Sequence, residues 1–328
     1  MKTNRIIAFD YLKGAAIFLV VWCHCIQYIT KVSFNNTFYS VVYSFHMPLF
    51  IIISGYLFSK KLNDPTAQII TRQFKRLIIP NIAWGVIVLV LESISTPPQL
   101  FSILRLPFFC WFLSSLFICS IAYVCIFKLG IKNPIISTIL LSVTSLFLEG
   151  CEFIKFFIPF FGIGLILAQK DLALRVSNWK YIIVLGGIIF VLYSIFWSRE
   201  FYIYRTPNPS IIRDSSSFTW VAYCARIFFG SLISVWLISF VRKIGELRDG
   251  VGLYKLSLNS LGIYVIHFSF FDISQKYFAI HLNYQGLTAV ISMLIISFVM
   301  IYIINKCIDY LRINEVTRRL FLGEFKKQ

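Results

Sequence analysis

Apolar segments of bilayer-crossing length recur along almost the whole chain, and they limit its possible folds more than any other feature. About 20 residues of α-helix span the hydrocarbon core of a membrane. Because lipid offers no hydrogen-bond partners, a spanning segment must satisfy its backbone groups internally, as a helix does. We place ten such segments near residues 11–29, 39–58, 77–95, 106–127, 134–149, 153–169, 181–197, 217–240, 256–271 and 285–305. They predict an all-α, polytopic membrane protein with about ten transmembrane helices.

The composition and the distribution of charge agree with this class of protein. Hydrophobic residues make up 58% of the chain, whereas soluble domains have about 45–50%. The net charge of +17 is not read as nucleic-acid binding, because the basic residues cluster in short connections between apolar segments. Most of them fall in alternate connections, which predicts that both termini are cytoplasmic. The eight cysteines lack CxxC spacing, so we predict no metal site.

The first apolar segment carries ionisable residues at helical spacing. On an α-helix, Lys13 and His24 lie within roughly 20° of one another and about 16 Å apart along the axis. Asp10 precedes Lys13 by three residues and joins the same face. Ionisable side chains in a spanning segment are costly unless they face a protein interior or a water-filled cavity. This stripe is therefore predicted to face inward.

The predicted orientation also assigns depths to the other polar residues of the spans. One group, from five different spans, falls in the outer half of the membrane: His24, His46, Glu92, Arg226 and His267. A basic group falls at the cytoplasmic face: Lys13, Arg72, Lys75 and Arg76. The connection 198–216 is the longest external one, and it is read either as a cover over an outer cavity or as an ordinary solvated loop.

Several segments resemble the acyltransferase-3 family of membrane acyltransferases. The most specific is FDYLKGAAIFLVVWCHC, where the family shows an acidic residue, a basic residue, ten others and then histidine. The family most often has arginine followed by glycine where this chain has Lys13–Gly14. Five further segments match in order: FHMPLFIIISGYLFSKK from Phe45, RQFKRLIIP from Arg72, WFLSSLF from Trp111, FFIPFFGIGLIL from Phe156 and SLNSLGIYVIHF from Ser257. The resemblance covers nearly the whole chain.

The resemblance implies ten or more spans, an acyl-CoA donor taken from the cytoplasm, and transfer to a hydroxyl, commonly of a sugar at the outer side. It also implies that the histidine of the first helix is catalytic and that the preceding basic residue is essential. We carry these roles to His24 and Lys13 only.

The chemistry of acyl transfer indicates roles for the remaining polar residues. It needs a base for the hydroxyl proton, donors for the oxyanion and anchors for the CoA phosphates. His24 can act as the base or form an acyl-histidine, and His46 is the second catalytic candidate. The alternative for both histidines is a structural role, in which each forms a hydrogen bond to a neighbouring helix.

Two further sets of residues are candidates for binding. Donor binding is predicted for Lys13, Asp10, Arg72 and Arg76. The alternatives are a structural ion pair for Asp10 and contacts with anionic membrane lipids for the arginines. Acceptor binding is predicted for Arg226, His267, Glu149 and Trp111. The alternatives are interhelical salt bridges for Arg226 and His267, and positions at the membrane boundary for Glu149 and Trp111.

These observations predict an O-acyltransferase in the plasma (inner) membrane of a bacterium, formed by one domain over residues 1–328 with a cytoplasmic tail from about residue 306. Acetyl-CoA is the expected donor and a carbohydrate or glycolipid the expected acceptor, while the oligomeric state is left open. The alternative is a glycan or lipid-linked-sugar exporter, because polar groups near the midplane also suit a transporter. A sensor or scaffold without chemistry would explain the composition but not the stripe.

Overall fold

The computed structural model describes residues 7–30, 36–94, 106–148, 152–170, 179–197, 217–244, 251–277, 282 and 284–325, and every regular element within these ranges is helical. The helices are α1 (Ile7–Cys25, continued by a π turn at Ile26–Thr30), α2 (Thr37–Ser59), α3 (Thr66–Gln73, continued by a π turn at Phe74–Ile78), α4 (Ile79–Ser93), α5 (Trp111–Lys128), α6 (Pro134–Leu146), α7 (Glu152–Lys170), α8 (Trp179–Phe196), α9 (Ser217–Ile244), α10 (Val251–Tyr277), α11 (Gly286–Leu311) and α12 (Glu315–Leu322). The all-α prediction is confirmed for the described residues. Glu149 and the connection 198–216 lie outside them.

Seven helices in the described part of the chain are long and apolar enough to cross a membrane: Ile7–Thr30, Thr37–Ser59, Thr66–Ser93, Trp111–Lys128, Glu152–Gln169, Trp220–Arg242 and Gly286–Leu311. Segments 134–149 and 181–197 contain shorter apolar helices, Pro134–Leu146 and Val184–Phe196. Segment 256–271 lies in α10, whose polar residues lower its hydropathy. The count of ten spans and the cytoplasmic position of the termini stay predictions.

The distribution of side chains is that of a membrane protein. Large apolar side chains are exposed on several helices, for example Phe196 at 73%, Leu287 at 71% and Ile295 at 61%. Polar side chains such as Asn81 and His267 are fully buried. Apolar groups outside and polar groups inside are what a lipid environment favours. The chain is a multi-pass membrane protein.

The chain divides into two compact units. The first unit comprises the described parts of residues 1–12, 37–66 and 118–249, and the second those of 13–36, 67–117 and 250–328.

Close helix crossings form the core of the first unit. A Cβ atom built on Gly55 of α2 would lie 2.1 Å from the carbonyl oxygen of Phe161 in α7, and one built on Gly164 would lie 2.2 Å from that of Ile52. Glycine at both positions lets the two backbones touch, as small residues do in membrane helix pairs. Pro159 of α7 has no N–H to donate to the carbonyl of Lys155 four residues earlier.

The second unit is joined by a similar crossing and by several hydrogen bonds. A Cβ atom on Gly14 of α1 would lie 2.0 Å from the carbonyl oxygen of Leu253, in the first turn of α10. The indole nitrogen of Trp22 donates to the carbonyl of Val290 in α11 at 3.0 Å. The indole of Trp84 in α4 donates to the carbonyl of Phe321 in α12 at 3.1 Å.

Candidate active site

Two histidines from distant parts of the sequence contact one another in the second unit. Nδ1 of His24, near the end of α1, lies 2.9 Å from Nε2 of His267 in α10. Their ring centroids are 5.1 Å apart and the ring planes differ by 21°. His267 is fully buried, whereas His24 is half-buried. The less buried ring is therefore oriented by a ring that water does not reach.

The backbone determines which nitrogen carries each proton when both rings are neutral. Nδ1 of His267 lies 2.8 Å from the carbonyl oxygen of Ile263. Because a carbonyl only accepts, this nitrogen donates, and Nε2 of His267 is left as an acceptor. Nδ1–H of His24 then donates to it. The lone pair of His24 is consequently on Nε2, the nitrogen that can take up a proton.

Aromatic rings surround the histidine pair. Tyr28 lies edge-on to His24 with centroids 5.6 Å apart, and it stacks on Phe271 at 5.2 Å. Tyr264 lies edge-on to His267 at 5.5 Å. Such an apolar surrounding disfavours charge on a buried imidazole. The histidine pair therefore lies among aromatic rings that follow α1 or belong to α10.

Local backbone features place the pair. The helix changes to a π turn at Ile26–Thr30, which begins two residues after His24, and π turns are frequent at functional sites. Gly14 brings α1 against the first turn of α10, so the two helices that carry the histidines are in backbone contact. The sequence predicted neither the partnership of His24 with His267 nor the roles of Tyr28, Tyr264 and Phe271. The shared depth of the two histidines was the available signal.

Trp111 is close to this site by way of its neighbour. It is half-buried at the start of α5, and its ring lies 6.2 Å from that of Phe112, which in turn packs on Tyr264 at 5.1 Å. Asn81 is fully buried and accepts from the backbone N–H of Cys110 at 2.7 Å. This amide, which the sequence analysis did not single out, holds the start of α5.

The predicted donor-binding residues have different environments. Asp10 is buried and Lys13, one turn later on α1, is half-buried. Arg72 and Arg76 are exposed, at the end of α3 and in the π turn that follows it. Arg76 lines a cavity of about 260 Å³ together with Arg312, whose guanidinium donates to Glu324 at 2.6 Å.

His46 and Arg226 lie in the first unit. Nδ1 of His46 lies 2.7 Å from the carbonyl oxygen of Val42, and the ring of Tyr43 is edge-on at 4.8 Å. His46 is 2% exposed. Its backbone bond is the same as that of His267, which makes its Nε2 an acceptor too. A catalytic role for His46 stays a prediction.

Arg226 belongs to a charged cluster in the first unit. Its guanidinium lies 4.6 Å from the ring centroid of Phe156 and 5.4 Å from that of Tyr223. The hydroxyl of Tyr223 donates at 2.9 Å to the carbonyl of Lys155, the group that Pro159 leaves without a helical donor. Lys155 is fully buried and pairs with Glu152 at 3.3 Å. Lys155, which lies in the predicted segment 153–169, is a second buried cation, and the sequence analysis gave it no role.

The part of the chain that the structure describes contains no group of three or more His, Cys, Asp or Glu side chains that could hold a metal ion.

An all-helical membrane protein with a paired histidine inside the second unit is suited to proton-coupled group transfer within the bilayer. The class is that of an integral membrane transferase. The sequence model described as "Acyltransferase domain" matches residues 6–306, and the chain belongs to this family. It is an acyltransferase, and this membership is evidence against an exporter without acyl-transfer activity.

Two curated relatives are similar to this chain over most of their length. Nodulation protein NolL of Mesorhizobium japonicum is 26% identical over 269 residues, which cover 74% of this chain and 71% of the relative. Nodulation protein NolL of Sinorhizobium fredii is 24% identical over 269 residues, which cover 74% of this chain and 73% of the relative. No solved structure matches this chain.

Proposed function

We propose that the protein is an O-acyltransferase that moves an acyl group, in the simplest case acetyl, from cytoplasmic acyl-CoA to a hydroxyl of a cell-surface or lipid-linked carbohydrate. The observation that carries this proposal is the contact of 2.9 Å between His24 and His267. Both curated relatives come from bacteria, which supports placement in a bacterial inner membrane.

The tautomers derived above support the following proton transfers. Nε2 of His24 takes the proton of the acceptor hydroxyl as its oxygen attacks the thioester carbonyl. The tetrahedral oxyanion then collapses, the carbon–sulfur bond breaks, and the CoA sulfur leaves with the proton from His24. His267 acts as a positioning residue, because it holds the Nδ1–H of His24 and directs Nε2 outward. The alternative is attack by Nε2 itself, which forms an acyl-histidine that the hydroxyl then cleaves.

Lys13 is proposed to bind the donor. It lies about 16 Å from His24 along α1, a distance of the order of a pantetheine arm. Gly14, the next residue, is in contact with the first turn of α10, and the start of a helix favours negative charge. Asp10, Arg72 and Arg76 stay in the proposal as further donor contacts.

Trp111 is proposed to contribute to the acceptor site, whereas the acceptor roles of Arg226 and Glu149 stay predictions from the sequence. The half-buried ring of Trp111 near the histidine pair is suited to stacking on a sugar. Arg226 is 4% exposed and enclosed by two rings, an arrangement that favours a structural role over direct contact with the acceptor.

The test is label transfer by the purified, detergent-solubilised protein, with radiolabelled acetyl-CoA and a membrane glycan extract. His24→Ala should lose activity by about 10²–10⁴-fold, the usual contribution of a general base. His24→Gln is the matched variant, since its amide can still donate to His267 but cannot take up a proton. Both variants should retain the thermal unfolding midpoint of the wild type. Normal transfer by His24→Gln would contradict the mechanism.

A further inference from the structure

A second cavity lies in the first unit, where α2, α5 and α7 end and α6 begins. Its volume is about 780 Å³, within the range of about 300–1,000 Å³ typical of small-molecule sites. Three lysines line it: Lys60 follows the last residue of α2, Lys128 is the last residue of α5, and Lys132 precedes α6. Phe127 and Leu165 supply apolar lining, and Asn63 and Gln169 supply amides.

The turn after α5 brings two of these lysines to the same cavity. Gly130 has φ +97°, a conformation that side chains with a Cβ rarely adopt. The backbone N–H of Lys132 donates to the carbonyl of Gly130 at 3.0 Å. Lys128 and Lys132 therefore face one concavity from the two sides of a tight reversal.

Among the residues that the structure describes, no acidic side chain compensates the positive charge of this cavity. Among the described residues no carboxylate forms an ion pair with any of the three lysines, and none lines the cavity. The cavity of the second unit differs, because its Arg312 is held by both oxygens of Glu324. The C-terminal end of a helix favours a basic residue, which explains the lysine at the end of α2 and the lysine at the end of α5. It does not explain why three lysines converge where no described carboxylate lines the cavity.

The first backbone N–H groups of α6 do not contribute to ligand binding in this proposal. The side-chain oxygen of Asn133 accepts from the backbone N–H of Ile135 at 2.9 Å, so the helix is already capped. Recognition thus rests on ammonium groups and amides, which suit the oxygens of a phosphate.

We propose that this cavity binds a phosphate-bearing small molecule on the side that the distribution of basic residues assigns to the cytoplasm. Two sources have this chemistry: the phosphates of CoA, an assignment that rests on the proposed function, and the headgroup of an anionic phospholipid. In either case the ligand neutralises the three lysines while its less polar part contacts Phe127 and Leu165.

The experiment compares the wild type with the triple variant Lys60→Gln, Lys128→Gln, Lys132→Gln. A matched control removes three exposed cations of the second unit, Lys255, Lys306 and Arg319, by the same change to Gln. Binding of CoA is measured by calorimetry on the purified protein. Phospholipid binding is measured by native mass spectrometry after incubation with phosphatidylglycerol or phosphatidylcholine vesicles.

We expect the triple variant to bind one phosphate source about tenfold more weakly, equivalent to about 1.4 kcal/mol, and the control variant to bind it as the wild type does. Loss confined to CoA assigns the cavity to the donor, and loss confined to phosphatidylglycerol assigns it to lipid. Unchanged binding of both, or an equal loss in the control, overturns the proposal. Label transfer is assayed in parallel: a wild type that binds phosphate at these lysines but transfers no acyl group contradicts the proposed function and leaves this site intact.

Discussion

The two units hold buried ionisable side chains in different arrangements. In the second unit, His24 and His267 form a pair that can be neutral, and one ring remains half-buried. In the first unit, Arg226 and Lys155 are buried cations: Arg226 lies against two aromatic rings, and Lys155 pairs with Glu152.

The difference shows that the cost of burying a polar group in a membrane protein does not by itself identify a catalytic site. A pair of neutral imidazoles places no net charge in lipid until one ring takes up a proton during the reaction. A cluster of ion pairs and cation–π contacts instead stabilises one packing of helices. We therefore expect variants of the second unit to change catalysis and variants of the first unit to change stability.

The largest effect after loss of His24 itself is expected at His267. His267→Gln cannot reproduce the ring that links the carbonyl of Ile263 to His24, so kcat should fall by about 10–100-fold, as for other orienting partners of a functional histidine. KM should stay unchanged, and the pH dependence of kcat should shift. His46→Gln removes a histidine of the first unit that has the same hydrogen bond to the backbone. Its kcat should fall less than that of His267→Gln. An equal loss in both variants would break the comparison.

A matched pair of glycine variants tests the two helix crossings. Gly14→Ala and Gly55→Ala each place a Cβ close to a backbone carbonyl, at 2.0 and 2.1 Å. Both should lower the thermal midpoint, since overpacking costs about 1–3 kcal/mol. Only Gly14→Ala should also reduce transfer per folded molecule, by about tenfold, because it displaces α1 from α10 and with it the histidine pair. A similar reduction of transfer per folded molecule in Gly55→Ala would show that the packing of both units determines the geometry of the active site.

Glu152→Gln tests whether the charged cluster is structural. It leaves Lys155 buried without its carboxylate, which should cost about 1–3 kcal/mol of stability. Adding Lys155→Met should recover part of this loss. Thermal unfolding measures the effect, and label transfer per folded molecule should stay at the wild-type value. A change in KM for the acceptor would instead assign this cluster to substrate binding.

The smallest effect is expected for Lys13→Arg, which introduces the residue that the family most often has. Either side chain supplies a cation, so transfer should stay within about threefold of the wild type. Lys13→Met should raise the KM for acetyl-CoA. A KM unaffected by Lys13→Met would remove Lys13 from donor binding.

Much of the helical organisation could be read from the sequence, because lipid leaves an apolar segment of about 20 residues few alternatives to a helix. The segment cut at 134–149 was less predictable. The Asn133 cap and Pro134 begin α6, and the helix ends at Leu146 after 13 residues. A helix of that length rises only about 20 Å.

The sequence by itself determined the helical class, the family and the stripe of Asp10, Lys13 and His24, since these depend on local periodicity and motif spacing. Only the tertiary structure decided that His267 is the partner of His24 and that Lys155 and Arg226 are buried in one unit. Helical periodicity states which residues share a face but not which two faces meet. That choice depends on close approaches such as Gly14 against Leu253, and these contacts join residues more than 200 positions apart.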